Sequence, residues 1–223
     1  MHLALTDRIF CPECGPEYGL ILLAHDVRDR RVEEGDLGCP GCERRYPIRD
    51  GFADLRPPPR DPLPEAPPRA KGGAADHDEI IRLGALLGVT EGPGTLLLQG
   101  SAAKHAGALA ELIGGVEVVT LESTILNDHE NQGVSRMAAS KQLPFFSATF
   151  RGVLLSGAST ARPLEEAARV LAPKSRLVIL RPSSVTREEL TALGLTVLLD
   201  DDAALVSEKE RAGSLPLLTL RGP

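Results

Sequence analysis

Four cysteines in two C-x-x-C steps, Cys11-Pro12-Glu13-Cys14 and Cys39-Pro40-Gly41-Cys42, constrain this chain more than any other feature, and they are its only cysteines. Two such steps separated by a loop are the spacing that sets four thiolates tetrahedrally around one Zn²⁺. Pro12 and Pro40 stiffen the turns, while Gly15 and Gly41 permit backbone angles that other residues resist. The loop over 15–38 exceeds the usual span of roughly 15 to 20 residues. Its extra closure entropy is only about 0.3 kcal/mol, against roughly 10–16 kcal/mol for structural zinc binding. With Cys11, Cys14, Cys39 and Cys42 filling all four positions, no site stays open for water, so the metal is expected to hold structure rather than perform catalysis. Iron–sulfur ligation and redox chemistry are the competing readings. Disulfides are not expected, because Met1 to Phe10 carries Asp7 and Arg8 and has no apolar core of a secretory leader.

Around the cysteines the pattern is that of short strands. Tyr18 to Ala24 reads as a strand, Asp26 to Arg31 as a charged turn, and a second strand enters the later knuckle. Asp50-Gly51 is a hairpin signal between short apolar runs. Residues 1–56 are too few to build an independent core, so a metal staple suits them. The order Cys-Pro-x-Cys, apolar strand, Cys-x-x-Cys, then Tyr46-Pro47-Ile48-Arg49-Asp50-Gly51 resembles the small zinc-ribbon proteins that bind and activate methyltransferases, over about residues 8 to 56. That resemblance implies a non-catalytic ribbon and a protein partner, a methyltransferase acting on the translation machinery. Gly51-Phe52-Ala53 departs from the family's usual Gly-Ile-Pro.

Composition narrows the partners. Over 223 residues, Lys plus Arg is 25 and Asp plus Glu 31, for a net charge of −6, and tryptophan is absent. A chain that grips nucleic acid directly normally shows a basic face or stacking aromatics, so direct nucleic-acid binding is not expected. No apolar run is long enough to span a bilayer, and a soluble cytoplasmic protein is expected.

Pro57 to Pro68 is too proline-rich for helix or sheet, and residues 57–75 are expected to be a semi-rigid linker. From 76 to 223 the hydrophobic period alternates. Helices are expected near Asp78–Gly88, His105–Ile113, Pro163–Leu171 and Thr186–Leu193. Strands are expected at Thr95–Gln99, Val116–Glu122, Arg151–Ser156, Arg176–Leu180, Thr196–Leu199 and Leu215–Leu220, the last two as an antiparallel hairpin. Strands that alternate with helices and read as continuous apolar runs mean an α/β fold with a mostly parallel sheet covered on both faces, wound in Rossmann-like fashion.

This region resembles class I S-adenosylmethionine-dependent methyltransferases, through Leu143-Pro144-Phe145, Phe150-Arg151-Gly152-Val153-Leu154 and the run from Leu164 to Ile179. The resemblance implies S-adenosylmethionine as cofactor, at the loop after the first strand. There the family's Asp-x-Gly-x-Gly-x-Gly falls on Leu98-Gln99-Gly100-Ser101-Ala102-Ala103-Lys104. Only Gly100 matches: the acid is Leu98, and Ala102 and Lys104 bring side chains where close backbone approach is needed. Glu122 matches the acidic residue that holds the ribose hydroxyls, and Arg151 replaces the family's aspartate. The run Asn127-Asp128-His129-Glu130-Asn131 is polar enough for acid–base chemistry but reads as an exposed loop. Lys104 and His105, at a helix start, oppose its dipole, which fits a solvated side chain better than an anion site. No catalytic residue is assigned. The favoured reading is a methyltransferase relative that has lost its cofactor site and works with its ribbon as an adapter, scaffold or regulatory subunit. The alternatives are an active transferase with a divergent loop, and a ribbon that activates a separate methyltransferase.

Overall fold

The computed structural model describes residues 1–63, 77–121, 132–139, 142–156, 164–182, 185 and 187–210. A 3-10 turn, Leu3–Arg8, leads into β1 (Phe10–Cys11), which pairs antiparallel with β2 (Gly15–Gly19) at the first knuckle. The strand expected from Tyr18 onward is interrupted at Leu20, and β3 is Ile21–Arg28. Asp29 and Arg30, with φ of 47° and 64°, turn the chain into β4 (Arg31–Gly38). β5 (Arg45–Arg49) and β6 (Phe52–Asp54) flank Asp50 and Gly51, whose φ values of 47° and 71° are those of the expected two-residue hairpin turn.

The α/β body begins with α1 (His77–Leu87), whose Ile80, Leu83 and Leu87 are buried at helical spacing, and ends on Gly88 at φ +67°. β7 (Gly94–Gly100), a 3-10 turn over Ser101–His105, α2 (Ala106–Leu112) and β8 (Val116–Leu121) follow. Next come β9 (Val134–Ala138), β10 (Phe150–Ser156), α3 (Leu164–Val170), β11 (Leu171–Leu180), α4 (Arg187–Ala192), β12 (Leu195–Asp200) and β13 (Ala204–Lys209). Within the body the strand order is β12-β13-β11-β10-β7-β8-β9, parallel except that β13 runs antiparallel to both its neighbours. This is the expected α/β fold with Rossmann-like winding, with α1 and α2 packed on one core and α3 and α4 on the other.

Two strands correct the sequence reading. The hairpin partner of β12 is Ala204–Lys209, whereas Leu215–Leu220 lies outside the described residues. β9 is not among the expected strands: Ser135 and Arg136 interrupt its apolar run, yet Ser135 is fully buried with its hydroxyl bonded to Glu117. A buried polar group that is hydrogen-bonded costs little, so the apolar pattern underestimates such a strand.

β9 is the strand that joins the two parts of the chain. Its far side pairs in parallel with β6, Ala53 opposite Met137 and Asp54 opposite Ala138, so one eleven-stranded sheet runs through both parts to an edge at β3. Across this seam the Arg31 guanidinium pairs with Glu117 at 3.2 Å and donates to the Val134 carbonyl, and the His2 N–H donates to Ser135 Oγ at 2.9 Å. Leu5, Ile9, Tyr46, Ile48 and Leu55 belong to the same apolar core as Leu97, Val119 and Val153. Residues 1–56 therefore share part of their apolar core with the body, which answers the shortage of core expected for so short a segment. Of the proline-rich stretch, Pro57–Leu63 is described and 64–76 lies outside; Arg60 donates to the Arg45 carbonyl and sits 5.4 Å from the Tyr46 ring centre.

Candidate metal centre and cofactor crevice

The two knuckles bring Cys11, Cys14, Cys39 and Cys42 together, all four sulfurs within 4.8 Å of one another. Cys11 and Cys42 are 3.7 Å apart and Cys39 and Cys14 3.8 Å. Sulfurs about 2.3 Å from a tetrahedral Zn²⁺ lie about 3.8 Å from one another, so the set fits the ion's size and geometry. Cys11 and Cys39 are buried, and Cys14 and Cys42 face the rim. Burial pushes the Cys11 thiol up, but hydrogen bonds from the Tyr46 hydroxyl and the backbone N–H groups of Cys14 and Glu13 outweigh it and bring the value to about 7. Cys14 is driven the other way, to about 12, first by its contact with Cys42. Burial raises Cys39 as well. Four sulfurs this close cannot all be thiolates unless a cation lies among them, and the set could hold such an ion. The Gly41 N–H points at Cys39 Sγ at 3.4 Å, and the Tyr46 hydroxyl lies 3.4 Å from Cys11 Sγ. Tyr46 is the outer partner that the cysteine spacing alone does not reveal.

In a doubly wound sheet the ligand crevice opens at the carboxyl ends of the strands, where the winding reverses. Here that point lies between β7 and β10, and each half contributes one residue to it: Gly100 ends β7 and Ser156 ends β10. Gly100 has φ +76°, and a Cβ built on it would stand 1.9 Å from the Ser156 carbonyl oxygen. Its glycine requirement is thus met by a protein–protein approach. The Ala102 N–H, which in a binding loop would face the ligand, donates to Ser156 Oγ at 2.6 Å, and the Ser101 and Ser156 hydroxyls are 2.9 Å apart. Ala102 is buried, while Lys104 is exposed. His105 is buried, with Nε2 3.6 Å from Glu79 Oε1 on α1. Glu122 and the run Asn127–Asn131 lie outside the described residues. Arg151 sits at the opposite end of β10, donating to the carbonyls of Glu91 and Pro93 at 3.0 and 2.7 Å, so it braces the turn into β7. An open groove of about 1000 Å³ lies at the amino ends of β7 and β8, lined by His2, Arg8, Arg31, Glu111, Glu117 and Gln132 among others. It is remote from the switch point.

That Ser156 bonds the loop after β7 was not legible, because its partners are 54 and 55 positions away and no local pattern marks the contact.

No protein-family model and no curated protein matches the chain. Among solved structures, it is similar to a chain of the complex between the Haloferax volcanii Trm112 methyltransferase activator and its candidate methyltransferase, at 16% identity and a TM-score of 0.48, over 61% of this chain and 91% of that one. It is also similar to the antibiotic-resistance methyltransferase Kmr, at 14% identity and a TM-score of 0.43, over 60% and 93% of the two chains. The [4+2]-cyclase SpnF, at 15% identity and a TM-score of 0.44, covers 61% and 63%. These likenesses are distant, and the strand order carries the fold. Among the described residues, no helix is long and apolar enough to cross a membrane.

Proposed function

We propose that this chain is a cytoplasmic adapter or scaffold: a methyltransferase-like body without a working cofactor site, carrying a structural zinc ribbon held by Cys11, Cys14, Cys39 and Cys42. The observation that carries this reading is the contact between Gly100, Ala102 and Ser156, where the chain's own hydrogen bonds take up the positions from which a cofactor loop would address its ligand. The Leu98, Ala102 and Lys104 departures, read from sequence, support the same conclusion. The ribbon's resemblance to methyltransferase activators makes a protein the natural partner, and a methyltransferase of the translation machinery the first to test.

A ligand at 100 times its dissociation constant stabilises the native state by about 2.7 kcal/mol. Millimolar S-adenosylmethionine or S-adenosylhomocysteine should therefore leave the thermal midpoint unchanged if this reading is right. A saturable rise in midpoint that Glu122→Ala abolishes would overturn this reading and leave the alternative, an active transferase with a divergent loop, to be tested by methyl transfer.

A further inference from the structure

Between β9 and β10 a strap over 143–149 crosses the face of the body without joining the main sheet, and it is gripped from both sides. On the ribbon side the Phe10 N–H donates to the Pro144 carbonyl, and the Phe146 N–H donates to the Arg8 carbonyl, both at 3.0 Å; Ile9 bridges Phe145. The Phe10 ring meets Phe146 edge-on at 5.5 Å. On the body side Arg169 of α3 donates to the Leu143 and Phe145 carbonyls at 2.9 and 2.6 Å and is paired with Glu166, which itself accepts the Leu143 N–H. The Arg169 guanidinium also lies 5.6 Å from the Phe10 ring centre, so one ring is shared by both grips. Phe10 immediately precedes Cys11, and Ile9, Phe10, Phe145 and Phe150 are fully buried.

We propose that the metal site is the latch of an intramolecular clasp: zinc at the four cysteines fixes Phe10, Phe10 and Arg169 hold the strap, and loss of the ion releases the strap while the body stays folded. The strap has no ladder of its own, and besides the burial of Leu143 and Phe145 in the shared core these contacts are what hold it. Its ribbon-side grip sits on the backbone that bears a ligand, so the knuckle cannot open without moving it. The opposite core, built from α1, α2 and the strand face beneath them, shares none of these residues. Zinc availability is thereby converted into exposure of Leu143 and Phe145, both buried when the strap is held, a surface a protein partner can sense.

The inference rests on the zinc reading above, and metal content measured on the same sample separates the two. The full chain, zinc-loaded or stripped by a chelator, is followed by amide hydrogen exchange. Exchange over 143–149 should rise at least tenfold on stripping, with α1 and α2 unchanged. Phe10→Ala and, independently, Arg169→Gln should loosen the strap with zinc still bound. A strap whose protection survives verified zinc loss overturns the proposal, as does equal loss of protection in α1 and α2, which is global unfolding. A chain that holds no zinc removes both readings.

Discussion

A single glycine distinguishes two accounts of the crevice. If Gly100 were kept only for a cofactor, Gly100→Ala would leave the stability of the free protein nearly untouched. With its Cβ driven to 1.9 Å from the Ser156 carbonyl at φ +76°, the same substitution must instead spread β7 from β10. Strain at such a position costs on the order of 1–3 kcal/mol before any strand shift, so the urea midpoint should fall clearly with no ligand present. Ser156→Ala tests the partner: it leaves the buried Ala102 N–H without its acceptor, a loss of about 1–3 kcal/mol. Restoration by Ser156→Thr, which keeps the hydroxyl, distinguishes the lost hydrogen bond from lost packing. At this scale the sequence was legible where chemistry is local. The cysteines announce themselves because ligand spacing is set by turns of four residues, and the altered loop could be read letter by letter. Tyr46 beneath Cys11 and Ser156 beneath Ala102 could not, since each contact is made only by the fold.

At the scale of elements, most helices and strands followed from period and turn chemistry, and the misses share a cause. β9 and β13 are short strands that carry polar residues at buried positions, Ser135 in one and Ser207 in the other, so alternation and apolar runs both fail there. The hairpin that β13 forms with β12 is closed by Asp201, whose carboxylate accepts the N–H groups of Ala203 and Ala204 at 2.8 and 2.7 Å. The Ala204 and Ala203 bonds favour the ionised form and hold the Asp201 carboxyl below its ordinary value. The sign follows: a depressed folded pKa adds stability at pH above the unfolded value and loses it as pH falls through the folded one. Asp201→Asn should therefore flatten the pH dependence of exchange at β12 and β13 below pH 4 while leaving α1 unaffected. An unchanged acid profile would mean that the turn is not held by the charge. The exposed position of the group makes this a local effect on the hairpin rather than on global unfolding.

The whole molecule is decided by a seam that no local pattern could announce. β6 and β9 are far apart in sequence, pair in parallel, and are each short, yet they merge a cysteine-bearing ribbon and an α/β body into one sheet. Around that pairing lie the shared core, the Arg31–Glu117 ion pair and the strap held between Phe10 and Arg169. We propose that the proline-rich connection is a tether, raising the effective concentration of two surfaces that already fit, rather than the bond between them. Cutting it decides the matter. With a protease site placed within 64–76, the cleaved halves should still elute as one species on gel filtration at micromolar concentration, because the shared core, the β6–β9 pairing and the Arg31–Glu117 ion pair join them without it. Arg31→Ala should weaken that association by leaving Glu117 half-satisfied between strands, and stripping zinc should weaken it further through the strap. If the halves separate on cleavage with zinc bound, the continuous sheet is held by the linker after all, and the ribbon is a mobile module that the body only loosely accommodates. Co-elution would instead make the ribbon the body's built-in edge, leaving β3, with Ile21, Leu23 and Val27 exposed, as the outermost strand on that side of the sheet.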